Sequence, residues 1–303
     1  MKKNKFSAAL RRVVSGPMEH MRAKKNGTWL LYMLLRIVVI GFAIHAAFAG
    51  RFESQGICAL VLVLFLLPSL VEKHFKIVIP SALEKIILLF AFAAEILGEI
   101  QGFYVMFPWW DTMLHTMNGF LCAAIGFAII DLLNESPNIR FKLSPLYCAL
   151  AAFCFSMTVG VVWEFFEFGM DYFFHLDMQK DTVISVISSV KLDPTGGNTP
   201  VLISGIHSVA VNGQELNLGG YLDIGLFDTM KDLLVNFVGA LVFCFIGYKY
   251  SASHGKDKFA SNFIPHRVTE EQQGEGLGAE QELEQKAEQE AAANCNITAT
   301  HQQ

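Results

Sequence analysis

Charge is scarce in this chain. Asp, Glu, Lys and Arg make up 17% of its 303 residues, against about 25% in soluble domains. Cysteine is present but not in pairs. The six cysteines, Cys58, Cys122, Cys148, Cys154, Cys244 and Cys295, form no CxxC. Neither a disulfide framework nor a zinc knuckle is expected, and the five thiols inside apolar blocks are expected to be buried and inert. HExxH, P-loop and GxSG elements are absent, as is a clustered Arg/His/Ser set of the membrane phosphatase kind. No enzyme class follows from motif alone. Residues 1–28 are basic and polar, and the first apolar block comes too late and runs too long for a signal-peptide core, so no cleavable leader is expected.

What the chain has in excess is apolar sequence. Hydrophobic residues are 53% of the total, and the mean hydropathy is +0.40. The excess is concentrated in blocks at 29–50, 56–71, about 82–106, 111–133, 144–174 and 229–248. A membrane helix needs roughly 20 mostly apolar residues. The blocks predict an all-α fold, a polytopic membrane helix bundle of about six transmembrane helices. Residues 1–28 read as a basic arm and 29–250 as the transmembrane domain, with a long outer loop at 175–227. Residues 251–303 read as a Glu/Gln-rich tail, disordered or a short helix; between Glu270 and Glu290 it carries eight Glu and one Lys.

Basic residues set the expected orientation, because Lys and Arg collect on the cytoplasmic side. The N-terminal arm holds Lys2, Lys3, Lys5, Arg11, Arg12, Arg22, Lys24 and Lys25. With that arm inside, six crossings also place Lys73, Lys76, Arg140, Lys142 and the basic residues of the tail inside. Only Arg51, Lys180 and Lys191 fall outside. Both termini are therefore expected to be cytoplasmic. Trp109 and Trp110 then lie in a short outer turn, as an interfacial aromatic pair. In the outer loop, VISVISSV and VLISGIHSVAVNGQELNLGG predict short strands or hairpins.

Polar residues inside the blocks share a depth and share faces. Glu95/Glu99 and Asp111/His115 are i, i+4 pairs, Glu164/Glu167/Asp171 is spaced i, i+3, i+7, and Asp228/Asp232/Asn236 is spaced i, i+4, i+8. Each set occupies one helix face. In the expected topology all lie in the outer half of the membrane, as does His45. Ionisable groups there cost roughly 2.5–3.5 kcal/mol each and so face partners or water. By contrast 121–130, 146–155 and 239–247 contain no ionisable group except cysteine. The pattern predicts an outward vestibule above an apolar plug.

That layer holds many acids and few bases. Neighbouring carboxylates repel one another, and a proton or a divalent cation relieves the repulsion. Carboxylates with one imidazole suit Mg, Mn, Ca or Zn. The candidate metal ligands are Glu99, Asp111, His115, Glu164, Glu167, Asp228 and Asp232. Glu164, Glu167, Asp171 and Asp232 are the candidates for acid/base chemistry. The two-Asp stripe resembles that of metal-binding alcohol phosphotransferases, but their preceding DGxxAR pattern is missing.

Glu95-(x3)-Glu99, WWDTMLHTMNGF, WEFFEFGMDYFF and DTMKDLLVNFVGAL together resemble the YjdF-like family of uncharacterised bacterial integral membrane proteins, over roughly residues 30–250. A more distant similarity is to VanZ-like membrane proteins, through Asp111/His115 and Asp232/Asn236 followed by Gly239. The resemblance implies a multi-pass protein of the bacterial cytoplasmic (inner) membrane and names no activity. The expected partner is the lipid bilayer, with a lipid or envelope-precursor headgroup bound or processed at the acidic site; no nucleic-acid partner is expected. A cation- or proton-coupled transporter is the alternative, and a structural or accessory membrane protein the second.

Overall fold

The computed structural model describes residues 26–134 and 142–267. The basic arm before Asn26 and the Glu-rich stretch after Arg267 lie outside the described residues. Helix α1 (Asn26–Phe48) is followed by a rod made of α2 (Phe52–Leu64) and α3 (Leu67–Phe75), interrupted where Pro68 enters the first turn of α3. Lys76 ends that rod in the left-handed region, at φ 54°. Strand β1 (Ile77–Val78) leads into α4 (Ser81–Phe92), which continues as a π-helical segment, Ala93–Ile100. After a single turn, α5 (Phe103–Met106), come the long helices α6 (Trp110–Asn134), α7 (Pro145–Phe174) and α8 (Leu226–Ala252).

Five of these rods are long and apolar enough to cross a membrane: Gly27–Phe48, Phe52–Phe75, Trp110–Asn134, Pro145–Phe174 and Leu226–Ala252. The expected third crossing differs. The 82–106 block is divided between α4, the π-helical segment and α5, and it carries Glu84, Lys85, Glu95 and Glu99. Together α4 and the π-helical segment run unbroken for 20 residues, and the four charges, more than the length, set this stretch apart from the other five.

Local sequence explains the boundaries. Ser144 caps α7 by accepting from Tyr147 N at 3.3 Å, with Pro145 in the first turn. The α8 helix starts after Gly225 (φ 87°), and the Asp223 carboxylate accepts from Phe227 N at 3.0 Å. Between α7 and α8 the chain is not helical. Strands β2 (Thr182–Ile184), β3 (Val186–Ser189), β4 (Val201–Ser204), β5 (Ala210–Val211), β6 (Gln214–Glu215) and β7 (Tyr221–Asp223) pair antiparallel as β2–β7, β3–β4 and β5–β6. The short strands expected in this loop are thus present, as three two-stranded pieces between two helices of the bundle. In its β3–β4 turn Asp193 accepts from the backbone and hydroxyl of Thr195 at 2.9 and 2.7 Å, which holds its carboxyl below the usual range.

The bundle has two halves. Tyr32, Leu35 and Val39 of α1 pack with Cys58, Val61, Phe65, Leu88 and Ile96. The second half is α6, α7 and α8, filled by Ala123, Ala124, Phe127, Cys148, Ala152, Ala240 and Phe243. Four described cysteines are buried, as expected, but Cys154 is exposed on the outer face of α7. Trp110 is buried against Phe103 at a centroid distance of 4.8 Å, so only Trp109 presents an exposed ring. The chain beyond α8 returns to the bundle. Ala260 and Ile264 join the second core, β8 (His266–Arg267) pairs with β1, and Arg267 donates to Leu132 O at 3.1 Å.

Helices α6 and α8 run in the same direction and touch backbone to backbone. A Cβ on Gly239 would lie 1.9 Å from Thr116 O, and one on Gly119 would lie 2.0 Å from Asn236 O. Gly41 of α1, by contrast, has nothing within 4 Å of the same position. Gly239→Ala is expected to destabilise the protein by about 1–3 kcal/mol, the usual cost of overpacking, whereas Gly41→Ala is expected to change stability by less than about 0.5 kcal/mol. Thermal unfolding of both variants in detergent checks this; equal midpoints would contradict the close approach.

Candidate functional site

The close approach carries the polar stripes of α6 and α8 to the same place. His115 lies one turn before Gly119, and Asp232 two turns before Gly239. Both side chains are buried, and Asp232 is only 1% exposed. The imidazole is surrounded by carboxylates on both edges. Its Nε2 stands 3.6 Å from Asp111 Oδ1 and 4.0 Å from Asp232 Oδ2, and its Nδ1 stands 3.8 Å from Glu164 Oε1. Glu164 and Glu167 come from α7, one turn apart and both buried. Two sets of potential ligand atoms lie within 4.8 Å of one another: Asp111, His115 and Asp232, and His115, Glu164 and Glu167.

These separations are longer than hydrogen bonds, which run to about 3.2 Å. They are close to what an ion would impose. Two ligand atoms each about 2.0–2.2 Å from one cation stand about 3.0–3.5 Å apart. The donors are also under-used. Neither oxygen of Asp232 has a hydrogen-bond partner, nor does Glu164 Oε2. Besides His115 and the Asp111 carboxyl, Lys231 Nζ approaches Asp232, at 3.8 Å, and it is already bound to Asp228 Oδ1 at 2.7 Å. Buried carboxylate oxygens without donors are costly unless a proton or cation meets them.

The two edges of His115 are not equivalent. The Nε2 edge faces carboxylates from two helices, Asp111 and Asp232. The Nδ1 edge faces Glu164, whose neighbour Glu167 accepts from Trp163 Nε1 at 2.8 Å. A carboxylate behind one ring nitrogen fixes the tautomer that leaves the other nitrogen free to bind. In this arrangement Asp111, Nε2 of His115 and Asp232 are the group that could hold a metal, and Glu164 is the residue that would orient the ring.

Two sequence-predicted metal ligands, Glu99 and Asp228, and one acid/base candidate, Asp171, are not among the grouped ligand atoms. Glu99 is exposed and Glu95 half-buried, because the π-helical segment packs chiefly against α2 and only sparingly against α6. Asp171 instead holds the start of the cap: its two oxygens accept from Met178 N and Gln179 N at 2.7 and 2.8 Å. Asp228 accepts from Lys180 N at 2.8 Å as well as from Lys231, so its lone pairs are committed. Asn236 lies one layer deeper, accepting from Asn118 at 3.2 Å and donating towards Met157 Sδ at 3.6 Å. Ser156 donates to Gly119 O at 2.8 Å in the same layer. His45 lies in the other half of the bundle.

Sequence reasoning missed Tyr104. It sits on the single turn α5, in electrostatic reach of Glu95, Glu99, Asp111 and Glu167. Its only signal in the sequence is its position just before the Trp pair. The role of Asp171 is testable. Asp171→Ala is expected to raise amide exchange at Met178 and Gln179 by about tenfold or more, since bonds to a carboxylate are worth about 1.5–3 kcal/mol. Hydrogen exchange read by mass spectrometry on the peptide spanning these residues would show it, and unchanged protection would remove Asp171 from this role.

Residues 28–253 match a family of membrane proteins, described as Predicted membrane protein (DUF2238), and the chain belongs to that family. The match covers the stretch that carries every residue of the carboxylate group. No curated protein and no solved structure matches the chain.

Proposed function

We propose that this member of the DUF2238 membrane-protein family binds a divalent cation between Asp111, His115 and Asp232, at the outer end of a six-crossing bundle. The bound ion would hold, or help to process, the anionic headgroup of a lipid or envelope precursor. One observation carries the reading: Asp232 is almost fully buried, with both oxygens unpartnered, facing an imidazole edge that a second carboxylate also faces. A cation supplies the missing partner for all three groups at once.

The distribution of Lys and Arg supports both termini in the cytoplasm and the site on the opposite side. The six-crossing arrangement treats Ser81–Ile100 as a crossing whose charged residues lie towards its two ends. A bacterial cytoplasmic membrane and kinship to the YjdF-like proteins fit the same topology. Below the site, the layer of Asn118, Ser156 and Asn236 gives way to an apolar core of alanine and phenylalanine. That core favours binding or chemistry at one face over passage through the bundle.

Asp111, His115 and Asp232 would hold the cation, which would supply positive charge for an anionic oxygen, and the protein's other groups would orient these ligands. Glu164 holds the Nδ1 proton of His115, and Glu167, anchored by Trp163, supplies a carboxylate to receive a proton nearby. Purified protein is expected to contain roughly one divalent ion per chain, as a single three-ligand site requires. Asp232→Ala should lose it, while Asp171→Ala should keep it. Metal analysis by plasma mass spectrometry tests this directly. Negligible metal in the wild type, with none taken up from added Mg, Mn, Ca or Zn, would overturn the proposal.

A further inference from the structure

A second polar feature lies at the same end of the bundle but in its other half. A groove of about 340 Å³ runs between α1, α2 and the end of the π-helical segment. That volume is at the low end of the roughly 300–1,000 Å³ typical of small-ligand sites. Its floor is apolar: Val38, Gly41 and Phe42 of α1 line it, with Ile100 opposite. Gly41 opens the floor, since no atom lies within 4 Å of where its Cβ would be.

The rim of the groove is polar and basic, formed by His45, Arg51 and Ser54. Arg51 stands in the short turn between Phe48 and Phe52, which end and begin two membrane-length helices. It is therefore at the depth of lipid phosphates, whichever way the bundle faces. Among the described residues, neither the Arg51 nor the His45 side chain has an ion pair or hydrogen bond. The exposed acid Glu53 neighbours the turn but does not line the groove. An apolar floor beneath an uncommitted guanidinium and imidazole is complementary to one kind of molecule, a phosphate group carrying an acyl chain.

We infer that this groove binds an anionic phospholipid, with its phosphate on Arg51 and His45 and its chain along Val38, Gly41 and Phe42. The inference is independent of the cation site, to which none of these residues contributes.

The test uses the full chain reconstituted in phosphatidylcholine vesicles with a trace of chain-spin-labelled phosphatidylglycerol or phosphatidylcholine. The protein-bound fraction is read from the immobilised component of the spectrum. The wild type is expected to prefer the anionic label by about tenfold, the usual scale of one charge-assisted contact. Arg51→Gln should bring that ratio close to unity. Gly41→Leu, which fills the floor without meeting another residue's atoms at Cβ, should lower the immobilised fraction of the anionic label. Free glycerol phosphate should not displace it. Metal content should be unchanged in both variants. The same preference in wild type and Arg51→Gln would overturn the inference. Displacement by free glycerol phosphate would overturn it in favour of a site for a soluble phosphate.

Discussion

The contact on which the site depends is the one between two backbones. At Gly119 and Gly239, α6 and α8 approach so closely that neither position has room for a methyl group. Without a hydrophobic drive between helices in lipid, close packing over small residues is what holds such pairs together. Because the two helices run in parallel, the contact also sets their register. Asp111 and His115 end up level with Asp232, and Asn118 level with Asn236. The carboxylate-and-imidazole group is thus a by-product of a steric fit one to two turns deeper. A loose crossing would leave each acid to find water or a neighbour on its own helix.

Around that crossing, the acids have divided their work. Asp171 and Asp228 spend their oxygens on backbone amides of Met178, Gln179 and Lys180, and Asp228 also holds Lys231. These are complete electrostatic units, and they fix the cap to the helix ends. Asp232 and Glu164 are the opposite case, buried with no hydrogen-bond donor to either oxygen of Asp232 or to Oε2 of Glu164. The distinction between satisfied and unsatisfied carboxylates, more than their number, is what supports the proposed cation beside Asp232. Asn118, Ser156 and Asn236 then close the polar layer, and the core cluster of this half is apolar, built of Ala, Leu, Ile, Phe and Cys.

Much of this was legible in the sequence, and the failures have physical reasons. Long apolar runs disclosed α1, the α2–α3 rod, α6, α7 and α8, because length and polarity are local properties. The 82–106 block is apolar enough to suggest a crossing, but its composition says nothing of the π-helical winding or of the left-handed residue Gly102. Helical spacing correctly put Asp111 with His115, and Asp232 with Asn236, on single faces. Spacing cannot say which neighbour a face meets. Glu99 has the same i, i+4 signature as Asp111/His115, yet belongs to a segment that packs chiefly on the other half of the bundle. The amide partners of Asp171 and Asp228 could not be read from the sequence, because main-chain groups of a loop carry no residue-type signal. Gly119 and Gly239 were visible as glycines on the polar stripes, but only the assembled helices show what they exclude.

The anchoring of the cap has a mechanical consequence. Residues 178–180 are held by α7 through Asp171 and by α8 through Asp228, and Gln179 also donates to Thr229 at 2.5 Å. Three consecutive residues therefore clasp two helices together at one end. Those helices cannot part there without releasing several hydrogen bonds to carboxylates. The clasp thus couples the spacing of α7 and α8, and with it that of Glu164 and Asp232, to three backbone amides of the intervening loop.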